Sequence, residues 1–203
     1  MILEVEIKAP CEDFSETERF LEERGATFQE ERLEVDEYYN HPARDFRHTD
    51  EALRIRTIGE RALLTYKGPK LSSIAKSRLE HEVSLGDSLT TEKILLALGF
   101  VRAGTVEKRR RLFSLGDVEI CFDEVPGLGT FVEFEKKSSD REKSEEELIA
   151  LARECGLHAF ENKSYLELLL SSPKGLSQKS PCGVDVPASG TERVLRGDEP
   201  ITP

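Results

Sequence analysis

The chain has 203 residues, of which 34% are charged and 37% apolar, and a formal net charge of −11. That length suits one domain, with or without a tail, and the acidic excess argues against nucleic acid as a partner. No apolar run approaches membrane-spanning length and the N-terminus lacks a signal-peptide core, so a cytoplasmic protein with no membrane partner is expected. Cys11, Cys121, Cys155 and Cys182 form no CxxC pair, which predicts reduced thiols and no structural zinc; any metal should be a hard cation on carboxylate oxygen.

Taken in order, Leu3, Val5 and Ile7 alternate with Glu4, Glu6 and Lys8, the period of a half-buried strand. Ser15 to Arg24 reads as an amphipathic helix stopped by Gly25, and Thr27 to Tyr39 as a strand with Glu34, Asp36 and Tyr38 on one face. Residues 40–47 read as a loop. Ala52 to Ile58 and Arg61 to Lys67 form a predicted hairpin around Gly59-Glu60. After Gly68-Pro69, Lys76 to Val83 reads as one strand with Lys76, Arg78, Glu80 and Glu82 on one face. A helix then opens at Gly86-Asp87-Ser88 and runs to Leu98, with Ile94, Leu95 and Leu98 as its apolar stripe.

Strands follow over Phe100 to Phe113, over 118–123 and over Thr130 to Lys136, where Glu133 and Glu135 alternate with Val132 and Phe134. Helices are predicted at Ser144 to Glu154 and Ser164 to Leu170. The expected organisation is one domain over 1–171 and a disordered, Ser/Pro/Gly-rich tail over 172–203.

Nearly every strand thus carries one aliphatic face and one face with basic residues and carboxylates at i, i+2 spacing. Two arrangements satisfy that pattern. In the first, an ordinary sheet turns its charged face to water. In the second, the strands close into a barrel with the charges inside, around water, a polyanion and its metal, because unpaired charges in a dry interior are costly.

The motifs themselves resemble a known family. Glu4-Val5-Glu6-Ile7-Lys8 is similar to the ExExK signature of the CYTH superfamily, the triphosphate tunnel metalloenzymes. Glu51-Ala52-Leu53-Arg54-Ile55-Arg56, Thr65-Tyr66-Lys67-Gly68-Pro69, Arg78-x-Glu80-x-Glu82, Lys108-x-Arg110 and the run from Asp123 to Glu135 follow in that family's order. Pro42-x-Arg44-Asp45-Phe46, Thr49-Asp50-Glu51-Ala52-Leu53 and Lys163-Ser164-Tyr165 resemble its class IV adenylyl cyclase branch.

The resemblance implies an α+β fold, a closed eight-stranded antiparallel β-barrel with helices packed outside. It implies that Glu4, Glu6, Glu133 and Glu135 hold Mg2+ or Mn2+, and that Glu4, Glu6, Lys8 and Asp123 serve catalysis. Lys8, Arg54, Arg56, Lys67, Arg78, Lys108 and Arg110 would bind the triphosphate of a nucleoside triphosphate or of inorganic triphosphate. A homodimer is compatible with it. Three activities share these parts: an adenylyl cyclase, a triphosphatase and a triphosphate-binding module without turnover.

Overall fold

The structure, a computed structural model, describes residues 2–71 and 76–172. The tail expected over 172–203 lies outside the described residues beyond Ser172. Among the described residues, nine strands form one antiparallel sheet: β1 (Leu3–Pro10), β2 (Thr27–Asn40), β3 (Ala52–Ile58), β4 (Arg61–Lys67), β5 (Lys76–Arg78), β6 (Glu80–Leu85), β7 (Val101–Leu115), β8 (Val118–Val125) and β9 (Gly129–Ser138). Their spatial order is β5-β1-β9-β8-β7-β2-β3-β4-β6.

The two ends of that order are consecutive in the chain. β5 pairs with β1, setting Arg78 opposite Glu4, while β6 pairs with β4, setting Glu80 opposite Lys67. The single strand predicted over 76–83 is therefore divided at Leu79 and joins both edges of the sheet, so the barrel is nearly closed. This corrects the expected eight strands to nine. The alternation of side chains was right, but a strand serving two neighbours at different heights must break its ladder between them.

Five helices among the described residues lie outside: α1 (Phe14–Glu23), α2 (Phe46–Thr49), α3 (Ser88–Ala97), α4 (Arg141–Glu154) and α5 (Tyr165–Ser171). Asp13, Asp45, Asp87 and Asp140 each cap a helix by accepting a backbone N–H, and Ser164 does so within a capping box with Glu167. Asp140 thus starts α4 three residues ahead of the expected Ser144. Asp45 nucleates the short α2 inside the segment read as loop.

The main core lies between the barrel wall and α1 and α4. Val5, Ile7, Ile120, Phe122, Val132 and Phe134 meet Leu21, Leu148 and Ala152 there. These strand residues are the aliphatic parity of β1, β8 and β9. With that face committed to the helices, the charged parity turns to the barrel interior, and the solvated-sheet alternative is excluded.

Candidate functional site

The barrel encloses a cavity of about 680 Å³. Every site residue implied by the resemblance lines it except Asp123. Three groups of side chains can be distinguished by what holds them.

The first group is acidic. Glu6 on β1 stands directly opposite Glu135 on β9, and Glu119 on β8 stands opposite Glu135 on the other side. Ligating oxygens of Glu4, Glu6 and Glu135 lie within 4.8 Å of one another. Like charges on facing strand positions repel. Burial raises the Glu135 carboxyl well above the usual carboxylate range, and Glu4, Glu133 and Glu6 add to the rise against the opposing pull of Arg110. Burial also acts to raise Glu4, but Lys67 and Arg54 outweigh it and hold that carboxyl below its ordinary value. A cluster that raises one of its own acids fits a divalent cation, and an all-oxygen donor set suits a hard one.

Cys121 and Glu119 form a second such cluster with the shared Glu135, again within 4.8 Å. Cys121 is fully buried and its Sγ is directed at Glu119 Oε1, 3.9 Å away.

The second group is a lattice of buried ion pairs. Arg110 grips Asp123 with both arms, Nε to Oδ1 at 2.7 Å and Nη2 to Oδ2 at 2.6 Å, and also donates to Glu133. Arg56 grips Asp36 likewise, at 2.6 and 2.7 Å, and its Nη1 lies 3.0 Å from Glu34. Lys108 sits between the two forks, 3.3 Å from Glu34 and 3.5 Å from Asp123. Burial disfavours charge on Glu34, but Lys108, Arg110, Arg56 and Arg32 hold its carboxyl far below the usual range. Asp36 is depressed in the same way, burial being overcome by Arg54 and Arg56. These acids fix the guanidinium planes in the wall.

Tyr165 completes this group. Gly104 on β7 leaves room for Leu166, whose Cδ1 lies 2.7 Å from where a Cβ would stand. That close approach seats the first turn of α5 over the barrel and drives Tyr165 inward, where its hydroxyl donates to Asp123 Oδ2 at 2.9 Å. Lys8 Nζ lies 4.0 Å from the Tyr165 ring centroid and donates to the Lys163 carbonyl at 2.6 Å.

The third group keeps donors to spare. Arg54 gives Nη1 to Asp36 at 3.1 Å, but its buried Nε has no hydrogen-bond partner among the described residues. Arg78 is buried, its Nε is likewise unsatisfied among the described residues, and Asp50 lies 3.8 Å from its Nη2. Unsatisfied guanidinium donors facing a wet cavity are ready for an anionic oxygen. Lys67, by contrast, is shared between Glu4 at 3.0 Å and Glu80 at 2.9 Å.

The implied residues therefore divide. Glu4, Glu6 and Glu135 converge, whereas Glu133 is engaged by Arg110 and lies 3.9 Å from Lys8. Asp123 is entirely buried behind Arg110, outside the acidic cluster. Glu34, Asp36 and Arg32 were not singled out as site residues, although all three share the inward parity of β2. Arg32 lines the cavity and donates to Glu34 Oε1 at 2.7 Å. Outside the cavity, Arg44 pairs with Glu51 and Arg47 with Asp45.

An antiparallel barrel with cations and a carboxylate cluster on its inner wall defines a class of charged-tunnel proteins. The chain belongs to the CYTH domain family, which it matches over residues 3–165. It is 38% identical over 172 residues to a Methanocaldococcus jannaschii protein named "Putative adenylate cyclase MJ0240", covering 82% of this chain and 98% of that one. The solved structure of PH1819 from Pyrococcus horikoshii OT3 has 39% identity and a TM-score of 0.76, over 82% of this chain and 98% of that one. HpAC1 from Hippeastrum, reported with a dominant triphosphatase activity, shares the fold at 19% identity and a TM-score of 0.61, over 83% of this chain and 94% of that one. No helix among the described residues is long and apolar enough to cross a membrane.

Proposed function

We propose that this chain is a divalent-metal-dependent enzyme of the class IV adenylyl cyclase type, converting ATP to cyclic AMP and pyrophosphate. The observation that carries the triphosphate chemistry is the convergence of Glu4, Glu6 and Glu135 in a cavity where Arg54 and Arg78 hold buried, unfilled Nε donors. Similarity to the M. jannaschii protein along nearly its whole length supports the cyclase over other triphosphate reactions.

In this reading Glu4, Glu6 and Glu135 hold Mg2+ or Mn2+, which supplies charge neutralisation at the phosphate oxygens. Arg54 and Arg78 donate to those oxygens through their unsatisfied Nε groups. Arg56, Lys108 and Arg110, held in place by Asp36, Glu34 and Asp123, provide a fixed positive wall, so little reorganisation accompanies charge movement along the phosphate chain. The ribose 3′-hydroxyl attacks the α-phosphorus, its proton is released, and pyrophosphate leaves along the cations that bound it. Lys8, anchored by the Lys163 carbonyl and the Tyr165 ring, orients the phosphate at the α5 side of the cavity.

A second reading, hydrolysis of inorganic or organic triphosphate, is favoured by one feature. Tyr38 and Tyr165 are the only aromatic rings among the described cavity-lining residues, and Tyr165 is already engaged by Asp123 and Lys8. The tunnel therefore offers much to phosphates and little to a base. Purified protein is incubated separately with ATP and with tripolyphosphate, in Mg2+ or Mn2+, and products are separated by chromatography. Cyclic AMP from ATP is the expected result. Phosphate from tripolyphosphate with no cyclic AMP would replace the first reading by the second, and no product from either would defeat both.

A further inference from the structure

The two ends of the barrel are unlike. Among the described residues that line the cavity, Arg61, Glu82, Asp117, Glu119 and Lys137 are exposed. Arg61 stands beside the β3–β4 turn, and Asp117 and Glu119 stand at the β7–β8 turn. Lys137, opposite Glu4, lies toward the same end, and Glu82 lies on β6 past the start of β1, beyond the Glu4–Arg78 pair. At the other end α5 covers the barrel. Tyr165 is 6% exposed there, and Lys8 and Lys108, whose Nζ atoms lie 4.0 and 5.3 Å from its ring centroid, are 2% and 3% exposed.

The chemistry of the wall is graded along the same axis. From the open end, β1 presents Glu4, Glu6 and then Lys8, while β9 presents Lys137, Glu135 and then Glu133. The carboxylate cluster therefore lies between the open end and the cations under α5. What the cavity offers a base is aliphatic and also lies at the open end. Ile58 pairs with Arg61 across the β3–β4 hairpin, and Leu63 follows Arg61 on the same face. A base takes apolar contact and stacks on a guanidinium, whereas a phosphate chain takes buried cations.

Given the cyclase reading above, we infer that ATP enters this tunnel phosphate end first, with its base held at the open end by Ile58, Leu63 and Arg61, and that its products leave in one order, cyclic AMP before pyrophosphate. The opposite orientation would press the base onto Lys8, Lys108 and Tyr165, removing water from charges without replacing it. In the inferred orientation the α-phosphorus stands nearest the carboxylate cluster, and the β- and γ-phosphates lie deeper. Ring closure joins the 3′-oxygen to the α-phosphorus and breaks the bond from that phosphorus to the pyrophosphate oxygen. Cyclic AMP keeps the base, the ribose and the α-phosphorus, so it stands between pyrophosphate and the open end. Pyrophosphate waits under α5 until the cyclic nucleotide has gone, a release step of the kind that limits many enzymes.

The order is tested by loading the full chain with radiolabelled pyrophosphate and Mg2+ and diluting it into excess unlabelled pyrophosphate, with and without cyclic AMP. Cyclic AMP should slow the loss of label by about 10-fold or more, because it occupies the exit. Equal rates of loss would overturn the order. The orientation is tested by Leu63→Ser and, separately, by Arg61→Ala, whose side chain is 66% exposed. Each should raise the KM for ATP by about 10-fold, the worth of a lost apolar or stacking contact, while the inhibition constant of tripolyphosphate in the same assay stays unchanged. A KM unchanged in both variants, or one that rises no more than the tripolyphosphate constant, would overturn the placement of the base. Absence of cyclic AMP in the chromatographic assay would remove the cyclase reading itself, and the release experiment, which follows pyrophosphate alone, separates that failure from a failure of the order.

Discussion

Replacing Glu34 with Gln isolates the role of the buried acids in holding the cationic wall. Glu34 is fully buried, with Arg32 Nε at 2.7 Å, Arg56 Nη1 at 3.0 Å and Lys108 Nζ at 3.3 Å. At an effective dielectric of 20, each of these contacts is worth about 5 kcal/mol before desolvation. Removing one partner of a buried ion pair costs about 3–5 kcal/mol, because the remaining charge is left uncompensated. The lower end applies here, since Arg56 keeps Asp36, Lys108 keeps Asp123 and Arg32 keeps Glu30. A loss of about 3 kcal/mol lowers the melting temperature by roughly 6–12 °C for a domain of this size.

Differential scanning calorimetry at pH 7 measures the difference directly, and its pH dependence provides a second check. The folded-state carboxyl lies far below its ordinary value of 4.5, so its stabilisation is complete above that value and is lost as pH falls below it. The gap between wild type and variant should therefore narrow from pH 5 toward pH 2. Added tripolyphosphate should raise the variant's melting temperature more than the wild type's, because the variant cavity carries one more uncompensated positive charge. A variant melting within about 1 °C of wild type at pH 7 would refute the reasoning.

Three further substitutions separate the remaining groups. Glu6→Gln removes one member of the Glu4/Glu6/Glu135 cluster and should reduce metal-dependent turnover by about 100-fold or more while the fold persists, with the thermal upshift given by Mn2+ also lost; near-normal turnover would remove Glu6 from the metal site. Arg78→Ala should raise the KM for the triphosphate by about 10–100-fold, the worth of hydrogen bonds to a charged group. Its melting temperature should stay close to wild type, because Asp50, at 3.8 Å, is a weak tether; a large thermal loss with unchanged KM would make Arg78 structural. Tyr165→Phe removes the 2.9 Å hydrogen bond to Asp123 and should cost about 1 kcal/mol, seen as a drop of about 2–4 °C in calorimetry. No thermal change would show that Arg110 and Lys108 alone satisfy Asp123.

Which residues share a face was legible in the sequence, because side-chain direction in a strand is fixed by local backbone geometry. The alternation of Glu4, Glu6 and Lys8 against Leu3, Val5 and Ile7 needs no distant partner to be read. The same holds for Arg54 and Arg56, for Lys108 and Arg110, and for Glu133 and Glu135. The helix caps were equally local, although Asp140 and Asp45 were passed over in favour of later or no starts.

What the tertiary structure decided is which inward residues meet. Parity places Glu133 and Glu135 on one face, but only the pairing of β9 with β1 and β8 sets Glu135 against Glu6 and leaves Glu133 to Arg110. Parity places Glu34 inward too, yet its role appears only when β3 and β7 flank β2 and bring Arg56 and Lys108 to it. The division of the strand at Leu79 is likewise non-local, since one stretch of chain must satisfy β1 on one side and β4 on the other. The fate of the Ile94, Leu95 and Leu98 stripe was hidden for the same reason: hydrophobicity along the chain is a property of the sequence, but that only Leu95 is buried depends on what the fold places against it.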